Sequence, residues 1–336
     1  MSLIEVVAPG MLTTIQDLGR TGYRSSGVGP GGAMDALSHR VANLLVGNPD
    51  DAAALEITLL GPRLAFPTGA WVAMTGAAVG AIVVTPDGQS TNVPAARPIW
   101  VPDGATLACG PSAPHGCRST LAVAGGLDAP LILGGRGTDL RSGFGGWQGR
   151  ALLAGDRVPV AASRQKPPAD RHRVVVVPQT ALPELTSWPA GSPANGAASP
   201  PIRVLRGPEF DAFPVASRAA FFTGTFTVTP DSDRSGCRLL SEALAPPPMT
   251  LSEVVVAGTI QVPPSGQPIV LAADHPVTGG YPRIAVVATI DLPRIGQAPP
   301  GAPLRFVEIG LAEAQRLLRD RERTLRIFKL GLGCIR

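Results

Sequence analysis

Short apolar runs separated by glycine and proline set the pattern of this chain. In the first half the runs are "SLIEVV", "LEITLL", "WVAMTG", "AIVVT", "IWVP", "TLAVAG" and "VVVVP". The second half offers "IRVL", "FTVTP", "VVVAGTIQVP", "PIVLAA" and "AVVATI". Each is short, rich in β-branched residues and closed by turn formers, which predicts strands. Helical spacing is confined to two places. Ala36, Leu37, Val41, Leu44 and Leu45 recur on one face of a predicted helix over about 35–46, which Gly47-Asn48-Pro49 stops. "GLAEAQRLLRDRER", 310–323, predicts a C-terminal helix. A mainly β fold of barrels or sandwiches follows, with few helices.

Residues 178–201, "PQTALPELTSWPAGSPANGAASPP", break this pattern. Their Pro, Ala, Ser and Gly content reads as a linker or surface loop without a core of its own. It separates a first domain, 1–177, from a second, 202–336, that ends in the helix. "GPRLAFP" at 61–67 and "GPEFDAF" at 207–213 are a faint internal echo between the halves.

One motif invites a nucleotide. Gly27, Gly29 and Gly32 have the G-x-G-x-x-G spacing ahead of the first helix. A dinucleotide loop, however, ends a buried strand, and its backbone N–H groups face the pyrophosphate. Here "GRTGYRSSGV" precedes it, without an apolar run, and Pro30 removes an N–H. The reading is a sharp connection at positive φ before a helix that begins near Met34–Asp35.

Composition narrows the class. The 336 residues include 40 Gly and 36 Pro, with 44% hydrophobic and 16% charged, which describes a punctuated globule of ample core. No apolar stretch has the length of a membrane span, and "MSLIEVVAPG" lacks a secretion signal's basic start and long apolar core, so a cytoplasmic protein is expected. The net charge of +4 does not imply nucleic acid, because the arginines are scattered and the C-terminal cluster alternates with Asp320 and Glu322. Cys109, Cys117, Cys237 and Cys334 show no C-x-x-C spacing and read as buried or free thiols. His39, His115, His172 and His275 form no ligand pair, so no metal is expected. The two lysines, Lys166 and Lys329, lie outside any P-loop and outside a Met-flanked biotin site. ATP or biotin chemistry therefore calls for another polypeptide.

Four segments combine charge with glycine, as ligand-binding loops do. They are "TTIQDLGRTGYRSSGVGPGGAMD", with Gln16, Asp17, Arg20, Tyr23 and Arg24; "TDLRSGFGGWQGR" at 138–150; "TPDSDRSGCRLL", with Asp231, Asp233, Arg234 and Arg238; and "GTIQVPPSGQPIVLAADHPVTGGYPRIAVV" at 258–287. In the last, Asp274, His275, Thr278, Tyr281 and Arg283 surround Gly279-Gly280. No nucleophile–base spacing is legible. The residues alone indicate a polar loop site for a small ligand, most simply an anion.

In "PGMLTTIQDLGRTGYRSSGVGPGGAMD", "ANLLVGNPDDAAALEITLLGPRLAF" and "GTIQVPPSGQPIVLAADHPVTGGYP" the chain resembles a known family, in matching order from about residue 3 to 318. That family is the C-type subunit of bacterial ATP-dependent 5-oxoprolinase, also called KipA-like, biotin-dependent carboxyltransferase or allophanate hydrolase subunit 2. It is similar to the carboxyltransferase domain of urea carboxylase. The resemblance implies two cyclophilin-like β-barrel domains, and a glycine stretch that is a family signature rather than a nucleotide loop. It also implies ring opening of 5-oxoproline to glutamate at the expense of ATP, with KipI-like (B-type) and hydrolase-like (A-type) subunits as partners. Alternatives within the resemblance are carboxyl transfer from biotin on a separate carrier protein to urea or a related amide, and non-catalytic binding of a KipI-like kinase inhibitor. For the ring opening, Arg234 and Arg20 are candidates to hold the substrate carboxylate. Asp274 or Asp233 would orient water or the ring N–H, and the Gly279 and Gly280 amides would receive charge on oxygen. Gln16, Gln261, Thr278 and Tyr281 complete the expected substrate contacts. The chain departs from the family pattern at Gly135, Gly137, Ser235, Cys237, Pro276 and Val277, which bears on the substrate.

Overall fold

The computed structural model describes residues 2–77, 79–112, 116–177, 199–249 and 251–335. Residues 178–198 of the expected linker, and His115, lie outside that set. The chain gathers into two compact units: Met1–Thr21 with Gly31–Trp188 and Leu325–Arg336, and Gly22–Pro30 with Pro189–Thr324. Both are mainly β.

The first unit holds two six-stranded sheets. One runs in the spatial order Arg157–Pro159, Leu3–Ala8, Arg63–Ala65, Thr106–Ser112, Val79–Val84, Ser90–Asn92. The other runs Val175–Val176, Ile99–Val101, Ala70–Gly76, Arg118–Val123, Ala54–Thr58, Leu12–Gln16. Period-2 alternation sends Ile15, Leu55, Ile57, Val72, Leu121 and Val123 into one core with Ile4, Val6, Leu64, Val83 and Leu107. The reverse face of the second sheet presents Ala54, Ala73 and Ala122, small enough for helix α1 (Ala36–Leu45) to lie close through Val41, Ala42, Leu44 and Leu45. Further along that face the strand register aligns Thr14, Glu56, Thr120 and Thr75 in one buried polar row.

Glycine and an aspartate shape the entry to α1. Gly27 (φ +78°) and Gly32 (φ +91°) occupy the left-handed region, and Asp35 caps the helix by accepting the Ser38 N–H at 2.9 Å. At Gly32 a Cβ would sit 2.7 Å from the Gly19 nitrogen, so only glycine fits. The motif is a turn-and-cap device, as its polar approach indicated.

In the second unit eight strands follow the order Pro303–Leu304, Phe226–Val228, Gly236–Leu240, Ile269–Leu271, Thr259–Gln261, Arg283–Val287, Ile202–Arg206, Phe306–Glu308. Its two edge strands are separated along the chain by Arg305 alone, so one stretch of backbone bonds to both ends of the sheet. The sheet is thereby nearly closed into a barrel. A phenylalanine cluster fills it: Phe221 stacks on Phe306 at 4.8 Å between centroids, and both meet Phe226. Phe221 comes from α2 (Val215–Thr223), which the hydrophobic spacing did not announce; nor did it announce α3 (Leu292–Gln297).

Two further expectations change. The C-terminal helix, α4, runs Leu311–Ile335 rather than ending at 323. Leu325, Phe328 and Leu332 recur on one face and pack with α1 in the first unit, which extends the helix beyond its charged part. The sequence echo does not mark a structural repeat: Arg63–Ala65 is a strand, whereas Phe210–Ala212 is a 3-10 turn. Among the described residues no helix is long and apolar enough to cross a membrane.

Candidate functional site

Strand pairing brings two of the expected loops together in the second unit. Gly236–Leu240 pairs with Ile269–Leu271, with Gly236 opposite Leu271, so the residues flanking these strands remain neighbours. Ala272 donates to the Ser235 carbonyl at 3.0 Å and Asp274 to the Arg234 carbonyl at 2.8 Å. The side chains then meet: Arg234 Nε donates to Asp274 Oδ2 at 2.7 Å and Nη2 to Oδ1 at 3.0 Å. The side chains are only 5% and 6% exposed, so this two-pronged bond sits in low dielectric. Arg234 was expected to hold a substrate carboxylate; in this structure that edge of its guanidinium holds Asp274. Asp233 beside it accepts the Ser235 and Gly236 N–H groups at 2.7 and 3.0 Å and forms the turn that aims Arg234 inward.

After Asp274 the chain rises to the surface. Thr278–Gly279 forms a two-stranded ribbon with Glu253–Val254, and Tyr281 is exposed. Gln261, buried, donates weakly to the Tyr281 carbonyl at 3.4 Å. A Cβ on Gly279 would stand 2.5 Å from Gln261 Nε2, so the amide's approach requires glycine. Arg283 fastens the ribbon, bonding Glu209 at 2.5 and 2.8 Å and Glu253 at 2.6 Å. The Arg283 hydrogen bonds hold the Glu209 carboxyl below the usual range, and the same bonds raise Arg283.

The turn 22–30 belongs to this unit as well. Arg24 Nη1 donates to the Val255 carbonyl at 3.5 Å, and Val255 N–H bonds the Val277 carbonyl at 3.0 Å. Gly29 faces the His275 carbonyl, which a Cβ would approach to 3.2 Å. His275 is 2% exposed. Its Nδ1 lies 2.7 Å from the Pro276 carbonyl, an acceptor only, so Nδ1 carries the hydrogen. Nε2 is then a buried acceptor, without a hydrogen-bond partner among the described residues. Burial, and secondarily the nearby Arg24 charge, push the imidazole below its usual range.

Gln16 and Arg20 stand in the first unit, where they organise the segment 135–147. Gln16 Nε2 donates to Thr14 Oγ1 and to the Thr138 carbonyl, both at 3.1 Å. Arg20 Nη2 donates to the Gly137 carbonyl at 2.6 Å, and its guanidinium lies 4.7 Å over Phe144. Asp17 accepts Gly19 N–H at 2.8 Å and Arg136 N–H at 2.5 Å. Among the described residues, Gln16 Oε1 and Arg20 Nε are buried without hydrogen-bond partners. The departure at Gly137 has a steric reason: a Cβ there would come within 2.9 Å of both Gln16 Oε1 and Asp17 Oδ1.

Glu56 accepts the Met34 N–H at 2.7 Å from inside the polar row. Arg24 and His275 stood in the expected loops without assigned roles. For His275 the signal was its place between Asp274 and the diglycine; for Glu56 no signal separates it from an ordinary strand acid.

The sequence profile described as "Carboxyltransferase domain, subdomain A and B" matches residues 26–308. The chain is 38% identical over 323 residues to the C-type subunit of 5-oxoprolinase from Escherichia coli, covering 96% of each. It is 33% identical over 332 residues to urea amidolyase of Saccharomyces cerevisiae, covering 94% of this chain and 17% of that protein. Among solved structures, urea amidolyase of K. lactis superposes with a TM-score of 0.82 at 31% identity, over 97% of this chain and 20% of that one.

Proposed function

This chain belongs to the carboxyltransferase domain family, subdomains A and B, and from that premise we propose that it is the C-type subunit of an ATP-dependent 5-oxoprolinase. One observation carries the reading: the 38% identity runs through 96% of both this chain and its bacterial C-type relative. The urea amidolyase match, by contrast, occupies 17% of a larger chain. The partners are the KipI-like and hydrolase-like subunits.

5-Oxoproline is a lactam, and amide resonance makes its carbonyl a poor electrophile. Transfer of the ATP γ-phosphoryl group to the lactam oxygen, with ADP leaving, turns that oxygen into a leaving group. Water then adds at the same carbon, the ring C–N bond breaks, and the nitrogen leaves as the amine. A second water hydrolyses the resulting acyl phosphate to glutamate and phosphate. In this protein the contributing elements are the loop 274–281 and the Arg234–Asp274 pair. Arg234 fixes the Asp274 carboxylate in one orientation, so that it can accept a hydrogen bond from water or substrate. In this reading the Gly279 and Gly280 amides are assigned to receive developing charge on oxygen.

The test is reconstitution: the purified chain, alone and with both partners, assayed for oxoproline-dependent ATP hydrolysis and glutamate release. Activity in the full mixture is expected, and an inactive full mixture overturns the reading. The K. lactis likeness favours a second reading, carboxyl transfer to urea or a related amide from biotin on a separate carrier. Urea-dependent decarboxylation of carboxybiotin by the chain would select it.

A further inference from the structure

The turn 22–30 and the loop 274–277 lie in the same unit and hold two groups that the reaction scheme leaves idle. Arg24 is half-buried, and among the described residues it has no carboxylate partner; its contact is the long bond to the Val255 carbonyl at 3.5 Å. His275 is held by its own neighbour's carbonyl through Nδ1, so the opposite ring nitrogen points away from that backbone as an acceptor with no partner among the described residues. Both lie against the same short stretch. Arg24 reaches Val255, Val255 bonds Val277, and Gly29 packs on the His275 carbonyl. A buried acceptor left without a donor is unfavourable, and such an atom in a native protein calls for an occupant. A guanidinium without a carboxylate calls for an anion.

We propose that Arg24 and His275 form a binding site for a ligand that carries a carboxylate with an N–H beside it. Arg24 takes the carboxylate through its guanidinium fork, and His275 Nε2 accepts the N–H. A 2-carboxylated lactam such as 5-oxoproline has both groups on one carbon, so the assignment rests on the oxoprolinase reading and names where its substrate is gripped. The neutral imidazole suits this role, since a protonated ring would offer a donor to a donor. It also shifts the carboxylate-binding role from Arg234, whose fork holds Asp274, to Arg24.

Three probes separate the two contacts: 5-oxoproline, 2-pyrrolidinone (N–H without carboxylate) and 5-oxotetrahydrofuran-2-carboxylate (carboxylate without N–H). Affinities are measured by calorimetry on the full chain and on the reconstituted complex. The wild type should prefer 5-oxoproline to the lactone by ~tenfold and to pyrrolidinone by ~tenfold to a hundredfold. Arg24→Gln should abolish the second preference and keep the first. His275→Phe should abolish the first and keep the second, while His275→Gln, which retains an acceptor, should recover part of it. Circular dichroism establishes that each variant is folded. An active wild-type complex whose variants keep both preferences overturns the site and leaves the oxoprolinase reading standing. An inactive complex whose free chain shows the variant-dependent preferences supports the site and removes that reading. Failure of the wild-type chain and complex to bind any probe overturns the site.

Discussion

Removing the negative charge at Asp274 should destabilise the second unit far more than removing one from a surface pair of matching geometry. Arg234 donates to Asp274 at 2.7 and 3.0 Å, and Arg206 donates to Glu308 at 2.8 and 3.2 Å. Burial is the difference: 5% and 6% side-chain exposure for the first pair, 53% and 41% for the second. Asp274→Asn removes the carboxylate that accepts two hydrogen bonds from a buried guanidinium that cannot shed its proton. The cost is about 3–5 kcal/mol, the scale for breaking a buried pair. Glu308→Gln should cost about 0.2–1 kcal/mol, because water solvates what remains. Urea unfolding of the full chain, followed by far-ultraviolet circular dichroism, reads both. The double variant Arg234→Met/Asp274→Leu should recover most of the loss, since it removes both charges. Equal costs for Asp274→Asn and Glu308→Gln would refute the argument from burial.

Three other outcomes can be measured directly. Hydrogen bonding from Arg150 lowers the Asp156 carboxyl to about 2; its stabilisation is therefore present above the ordinary aspartate value of about 4 and lost as pH falls toward 2. Asp156→Asn should be less stable than wild type at neutral pH, and the two should converge near pH 2. Burial pushes the Cys109 thiol up to about 12, and Cys117 and Cys237 are buried as well. Peptide mapping after maleimide treatment should find these three unlabelled in the native protein and labelled in urea. Gly32→Ala places a Cβ against the Gly19 backbone at positive φ and should cost more than ~1 kcal/mol, whereas Gly27→Ala meets open space and should cost less than Gly32→Ala, by thermal melting.

Legibility followed apolar content. Runs such as "SLIEVV" and "WVAMTG" became Leu3–Ala8 and Ala70–Gly76 because their alternation feeds a core directly. Leu12–Gln16 was missed because "LTTIQ" buries polar residues, and only the register to its partner strands reveals that Thr14 lies beside Glu56 and Thr120. Gly236–Leu240 was hidden by its glycine and arginine. The second half of α4 was hidden because its apolar residues match a partner, α1, nearly three hundred positions away. At the candidate site, the 229–236 and 274–281 loops were each legible as charged, glycine-rich segments, and the strand pairing made them neighbours. That Asp274 would occupy Arg234 depended on side-chain directions across a strand pair, which spacing along a chain does not contain.

The near-closure of the second sheet has a consequence for the order of events during synthesis. Ile202–Arg206 pairs in parallel with Phe306–Glu308, so one of its sides has no hydrogen-bonding partner until about a hundred further residues have been made. Phe226–Val228 waits about three quarters as long for Pro303–Leu304. Pairings so distant in sequence form slowly, because a long loop must close before they return any stabilisation. Until the hexapeptide 303–308 arrives, the nascent sheet carries two open edges, each a template for another unfinished chain. A chain that ends just short of residue 303 keeps both edges open, whereas one that includes residues 303–308 has the backbone to cover both.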